Sequence, residues 1–328
     1  MTKISLELGS GGRLMRDFIE SRIVPAFRNS YLGELGDASH LPGGIAFTTD
    51  SYVVDPVFFP GGDIGSLAVN GTVNDLVVSG ALPRFLSLAL ILEEGFREES
   101  LDRILRSIRR ASIKAGVVVV TGDTKVVRRG QGDGIYINTS GIGRVIARPA
   151  ISKIRPGDKL IITGTLGEHS TAVMLARGDF GFSSSVKSDC APLLFLLSAW
   201  KRGALWMRDI TRGGLATVLS ELAGKLPYPL LIEEDSVPLS RAVRGAVGIL
   251  GIDPLYLACE GRAVVVVPAR KAAAVLRDMR KHSSGGKARI IGEVQTKIGR
   301  PGELLLRTAT GGLRQLEPLT SELLPRIC

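Results

Sequence analysis

The alternation of apolar and polar positions divides the chain into two successive sets of elements. AFTTDSYVV, from Ala46, alternates as a strand with one covered face does, and FLSLALILEEG, from Phe85, is dense enough in apolar residues to read as a buried strand. Between them, DIGSLAVNGTVNDLVVSGA reads as a helix of small residues that can approach a neighbour closely. Residues 98–115 put Leu101, Ile104, Leu105, Ile108 and Ala115 on one helical face, with acidic residues in the first turn where the helix dipole favours them. VVVVTGDTK is expected to be a buried strand running into a turn, and GIYINTSGIGRVI a further strand.

Near Arg148 the texture changes. ARPAISKIRPGDKLIITG carries two prolines and opens a second set: strand KLIITG, helical stretches at Glu168–Gly178 and Ala191–Trp200, then a short strand, turn and helix in MRDITRGGLATVLSELAG. Strands PLLIEED, GRAVVVVPA and ARIIGEV alternate with helices SRAVRGAVGILG and RKAAAVLRDMRKHS, and from Pro301 a hairpin and an extended tail are expected. The pattern predicts an α/β (α+β) chain of two domains, residues 1–150 and 151–315, followed by a mobile tail, 316–328, that carries the terminal cysteine.

Forty-two Lys and Arg against thirty-two Asp and Glu give a formal charge of +10, but the basic residues are scattered and aromatics make up only 5% of the chain. Without stacking platforms or an aromatic-interleaved basic motif, nucleic acid is not an expected partner; the excess suits anionic substrates such as nucleotides, or solubility alone. Cys190, Cys259 and Cys328 form no Cys-x-x-Cys pair, which argues against a disulfide framework or a zinc ribbon and for a reducing compartment. The N-terminus lacks the apolar core of a signal peptide and no apolar run is long enough to span a bilayer, so a cytoplasmic protein without a membrane partner is expected.

His40, His169 and His282 are isolated from one another and from any cysteine pair, and there is no P-loop signature. Aspartates instead recur at strand ends and turns: Asp50 in TTDS, Asp75 in VNDL, Asp123 in TGDTK and Asp209 in RDITRGG. Magnesium prefers oxygen ligands and joins carboxylates to substrate phosphates, so aspartates that converge in space can hold Mg-ATP without a P-loop. Each also has an ordinary explanation as a turn or cap residue.

The block from Thr48 to Gly95, with GDTKVV, RDITRGGL and the terminal PRIC, resembles the HypE family of nickel–iron hydrogenase maturation factors, the carbamoyl dehydratases. These belong to an ATP-binding superfamily with aminoimidazole ribonucleotide synthetase and selenophosphate synthetase. Selenophosphate synthetases carry a reactive Cys or selenocysteine in the N-terminal glycine loop; here that loop is GSGGR, without one. The resemblance implies an aminoimidazole ribonucleotide synthetase-like fold whose N-terminal sheets pair across a homodimer, with nucleotide in the cleft between domains. It implies that a HypF-type carbamoyltransferase loads Cys328, that ATP activates the carbamoyl group for dehydration to a thiocyanate, and that cyanide passes to iron on a HypC–HypD scaffold complex.

Residue by residue, Asp50, Asp75 and Asp209 are expected at the metal, with Asp123 the next candidate and counted among the nucleotide-binding residues. Thr48 and Asn74 bind phosphates or position the aspartates, the alternatives being β-propensity for Thr48 and a helix-packing hydrogen bond for Asn74. Gly9, Gly11 and Gly12 are expected to form a flap whose backbone N–H groups cover the nucleotide. Dehydration needs a base, and Glu260 of CEGR is the expected proton acceptor, with Lys125 of GDTK contacting phosphate or carbamoyl and the roles open to sharing. Cys190 reads as a buried structural thiol and Cys259 is left open by its neighbour Glu260. A tail ending LLPRIC offers apolar docking surface at Leu323, Leu324 and Ile327, a restricted backbone at Pro325 and a charge at Arg326, and is expected to alternate between inward and outward poses. Two competing readings are a superfamily kinase or synthetase acting on a small diffusible substrate, and a non-catalytic nucleotide-binding protein.

Overall fold

The computed structural model describes residues 3–5, 8, 12–33, 35–178, 184–320 and 326–328. Gly12–Phe18 (α1) and Val24–Ala26 (α2) flank a wider turn at Ile19–Ile23, a helical stretch that the apolar pattern does not announce. Ser39–Leu41 (β1), Ile45–Tyr52 (β2), a small ribbon of Phe58–Phe59 (β3) and Gly62–Asp63 (β4), and Ile64–Val78 (α3) follow. The first half closes with Ala81–Glu93 (β5), Glu98–Ala115 (α4), Val118–Val127 (β6) and Ile135–Val145 (β7). Its sheet runs β1-β2-β7-β5-β6, with β6 parallel to β5 on the edge and the other pairs antiparallel.

Helix α3 begins with a capping box, Asp63 accepting from Ser66 N–H while the Ser66 side chain reaches back to Asp63 N–H. It is apolar all round because it is buried all round, against the first sheet, α4 and the second half of the chain. Its small residues set the distance: a Cβ on Gly65 would meet the Ile104 carbonyl at 2.8 Å, and one on Gly71 would meet the Tyr52 hydroxyl at 2.2 Å.

The second half contains Lys159–Ile162 (β8), Glu168–Ala176 (α5), Leu197–Lys201 (α6), Trp206–Asp209 (β9), Gly214–Ala223 (α7) and Leu230–Glu233 (β10). Arg241–Leu250 (α8), Ala263–Val267 (β11), Ala269–Arg280 (α9), Arg289–Val294 (β12) and the hairpin Leu304–Arg307 (β13) and Leu313–Leu316 (β14) complete it. Its sheet runs β14-β13-β10-β12-β8-β11-β9. Alternate residues serve two cores: Leu160, Ile162, Val264 and Val266 pack with α7, and Ile161, Val265 and Val267 with α9. That explains why AVVVV is buried at every position.

The first sheet has helices on one face only, and here two expectations change. β5 is not buried throughout, since Phe85 and Ile91 are exposed, and β6 is an exposed edge strand despite its run of valines. Phe47, Ile142, Phe85 and Val118 lie in one cross-strand row on the uncovered face, all of them exposed. The helix expected at Ala191–Trp200 is also shorter, a single 3-10 turn at Leu194–Leu196 leading into α6. Among the described residues no helix is long and apolar enough to cross a membrane.

Candidate active site

Period-two geometry along β2 turns Thr48 and Asp50 toward α3, where Asp75 faces them from the helix's last turns. Asp209 enters from the end of β9 in the other sheet, and Asp37 from the loop before β1. One carboxylate oxygen from each of Asp37, Asp75 and Asp209 lies within 4.8 Å of the other two. Asp50 joins the group, its carboxylate accepting the Tyr52 hydroxyl at 3.0 Å. These four line a cavity of about 490 Å³ with Thr48, Tyr52, Arg208, Arg212, Glu260 and Cys328.

The electrostatics are those of a cation site. Burial, then the charges of Asp50 and Asp209, raises the Asp75 pKa well above the carboxylate range. Burial followed by the charge of Asp37 does the same to Asp209, and burial raises Asp37 and Asp50. The Thr48 hydroxyl, 2.8 Å from Asp75 Oδ2 and 2.7 Å from the Asp37 carbonyl, offsets part of this rise by donating to the Asp75 carboxylate. Arg208 offsets part of the negative charge from outside, pairing with Asp37 at 3.0 Å and Glu221 at 2.6 Å. A set of converging carboxylate oxygens whose mutual repulsion and burial raise their pKa values fits magnesium, a hard cation that would offset that repulsion.

Glu260 is buried at the cavity wall, its Oε1 without a hydrogen-bond partner, and burial raises its pKa well above the ordinary value. Asn74 does not line the cavity. Its amide N–H groups donate to the carbonyls of Ala191 (3.1 Å) and Glu260 (3.2 Å), and its own oxygen accepts from Leu193 N–H at 2.8 Å, so it fastens α3 to the loop that carries Glu260.

Cys328 reaches this cavity along a defined path. The tail runs beside the chain after β2: Asp55 N–H donates to the Arg326 carbonyl (3.2 Å) and Val53 N–H to the Cys328 carbonyl (3.3 Å), while Ile327 is buried. None of the three cysteines is in a disulfide, and burial raises the pKa values of both Cys190 and Cys259. Gly12, at φ +71°, starts α1 beside Leu319 and lines an adjoining cavity that shares Arg208, Thr211 and Arg212 with the first. Gly9, Gly11, Leu323, Leu324 and Pro325 lie outside the described residues.

Asp123 and Lys125 do not line this cavity. They pair with each other at 2.6 Å on β6, and the row Ser51–Asn138–Ala89–Asp123 places them on the uncovered face of the sheet, opposite to Asp50 and three strands away, about 14 Å. Asp37, Tyr52, Arg208 and Arg212 are site residues that the motifs do not single out. Asp37 shares with Asp123 only the preceding glycine, in LGD and TGD.

Residues 36–145 match the AIR synthase related protein, N-terminal domain, and residues 155–299 the corresponding C-terminal domain. The chain is 46% identical to the carbamoyl dehydratase HypE of Rhodobacter capsulatus, over 99% of this chain and 98% of that protein. Among solved structures, a HypE in complex with ATP superposes with a TM-score of 0.83 at 43% identity, covering 99% of this chain and all of that one. A HypE–HypF complex superposes with a TM-score of 0.86 at 42% identity, covering 92% and 99%.

Proposed function

Because the chain belongs to the HypE family of carbamoyl dehydratases, we propose that it dehydrates a carbamoyl group carried on its own Cys328, using ATP, and so supplies cyanide for hydrogenase iron. The observation that carries this reading is the place of Cys328: it lines the cavity formed by the four aspartates and Glu260. A carrier residue and a nucleotide site then act on one group without a diffusing intermediate.

The chemistry follows from the group to be removed. A thiocarbamate oxygen does not leave as oxide, so it attacks the γ-phosphorus of ATP, the bond to ADP breaks, and the oxygen becomes part of a phosphate leaving group. Loss of two protons from nitrogen and cleavage of the C–O bond then release phosphate and leave S–C≡N on Cys328. Asp37, Asp50, Asp75 and Asp209 would hold magnesium, which would supply charge neutralisation for the transferring phosphoryl group. Thr48 and Gly12 position phosphates or the chain over them, and Asn74 holds the Glu260 backbone. Glu260, high in pKa and without a partner at Oε1, is suited to take protons from nitrogen.

The protein works as a homodimer in the cytoplasm, with 1–150 as nucleotide and dimerisation domain, 151–315 as the second domain and 316–328 as the tail. The row of exposed Phe47, Ile142, Phe85 and Val118 supports pairing through the first sheet. Asp123 and Lys125 stand on that same face, so their contact with nucleotide and carbamoyl group is made across the dimer. Loading is by a HypF-type carbamoyltransferase, and a HypC–HypD scaffold receives the cyanide.

Mass spectrometry of the C-terminal peptide tests the reading. After incubation with the carbamoyltransferase, carbamoyl phosphate and ATP, a carbamoyl mass is expected on Cys328, losing one water only when Mg-ATP is present. With a transferase proven active on another acceptor, an unmodified Cys328 would sink the carrier role and favour a diffusible substrate.

A further inference from the structure

His169 sits at the start of α5, fully buried, with no part in the phosphoryl chemistry described above. Its Nε2 lies 2.7 Å from the Ile327 carbonyl oxygen and its Nδ1 lies 2.8 Å from Ser188 Oγ. The protons on this chain can be placed. The Ile327 carbonyl only accepts, so Nε2 carries a hydrogen. Cys190 N–H donates to Ser188 Oγ at 3.1 Å, which leaves the Ser188 hydroxyl proton for Nδ1. The ring is thus neutral, in the Nε2–H form, and burial, which holds its pKa below the ordinary histidine value, agrees. The Phe59 ring stands edge-on to it at 5.3 Å and helps fix its plane.

This ring is one of three side-chain and backbone grips that, with the Asp55 N–H already described, hold consecutive tail carbonyls. Arg177 donates from Nη2 to the Arg326 carbonyl at 2.9 Å while its Nε holds the Asp55 carbonyl at 2.9 Å. Val53 N–H takes the Cys328 carbonyl. Of the three, only His169 works from the interior, and it holds the residue immediately before the cysteine.

We infer that His169 is the positioning residue that docks the C-terminal tail: its Nε2–H holds the Ile327 carbonyl and so fixes Cys328 at the aspartate cavity. The inference rests on the carrier role of Cys328 proposed above, but docking itself is open to measurement without turnover. Loss of the bond leaves a buried carbonyl unpaired and favours the outward pose. Dehydration and loading then respond differently, because dehydration needs the docked tail and loading needs it accessible.

The test compares His169→Asn with His169→Gln. The glutamine amide nitrogen falls near the histidine Nε2 and keeps the donor; the asparagine amide ends near Nδ1 and loses it. Iodoacetamide labelling of Cys328, read on the C-terminal peptide without nucleotide, is expected to accelerate about tenfold in His169→Asn and to stay near wild type in His169→Gln. Single-turnover dehydration of a preloaded tail is expected to slow by a similar factor in His169→Asn, with loading by the transferase undiminished and ATP affinity unchanged. Melting temperatures report whether both variants fold. Equal labelling rates in wild type and a folded His169→Asn would overturn the inference, as would equal changes in both variants. If wild-type protein labels slowly yet never dehydrates a loaded tail, the latch stands and the proposed function fails.

Discussion

Asp75 shows what the site costs the folded chain. Its carboxyl is protonated more readily in the folded than in the unfolded protein, so the folded state keeps a proton that the unfolded state gives up above the ordinary Asp pKa. Stability linked to this group is therefore lost as pH rises from about 4 toward its folded value, and is lost in full above it. In chelator at neutral pH, Asp75→Asn is expected to raise the melting temperature by about 2 °C, and that gain should vanish as the pH is lowered toward 4. The same variant should weaken Mg-nucleotide binding by at least about a hundredfold, measured by calorimetry. Unchanged nucleotide affinity would remove Asp75 from the metal site. Asp50, Asp75, Asp209 and Glu260 were legible in the sequence because each sits in a short segment that carries the family resemblance. Asp37 was not, because a Gly-Asp pair is ordinary turn chemistry and only tertiary folding brings it beside Asp209. His169 was invisible for a related reason: its partner, the Ile327 carbonyl, is 158 residues away and is backbone.

At the scale of elements, apolar pattern reported helix and strand well but reported cover poorly. Five consecutive buried residues in β11 and the exposed valines of β6 look alike in sequence; what separates them is position, β11 lying inside its sheet with cores on both faces and β6 lying on an edge, exposed along nearly its whole length. Helix α3 shows the converse, since its small residues announced close approach and Gly65 and Gly71 deliver it. The second of these ties packing to chemistry. A methyl group at Gly71 must displace the Tyr52 hydroxyl, which holds Asp50 and lies 3.3 Å from Thr72. Gly71→Ala is expected to destabilise the protein by about 1–3 kcal/mol through overpacking and to weaken nucleotide binding, both read from thermal melts with and without Mg-ATP. A variant that melts as wild type and gains the same shift from Mg-ATP would show that Tyr52 does not organise Asp50.

For the molecule as a whole, the uncovered sheet face is the feature that a single chain leaves unexplained. If the proposed dimer forms through this face, Phe47→Asp is expected to convert it to a monomer in light scattering and to abolish dehydration, the proposed contact of Asp123 and Lys125 with the partner's cavity being lost. Mixed dimers of Lys125→Ala and Cys328→Ser chains should then dehydrate at the one cavity that keeps both residues, whereas no activity in the mixture would place Lys125 with its own cavity. The docked tail has a last consequence. Its receptor grips the carbonyls of Arg326, Ile327 and Cys328, and the Ile327 side chain is buried beside them, so the substrate arrives already attached to its enzyme. Tethering of this kind sets an effective concentration in the millimolar range whatever the protein concentration. Turnover of a loaded chain should then be first order and indifferent to dilution, and a free peptide copying the last residues will compete only when it too is millimolar.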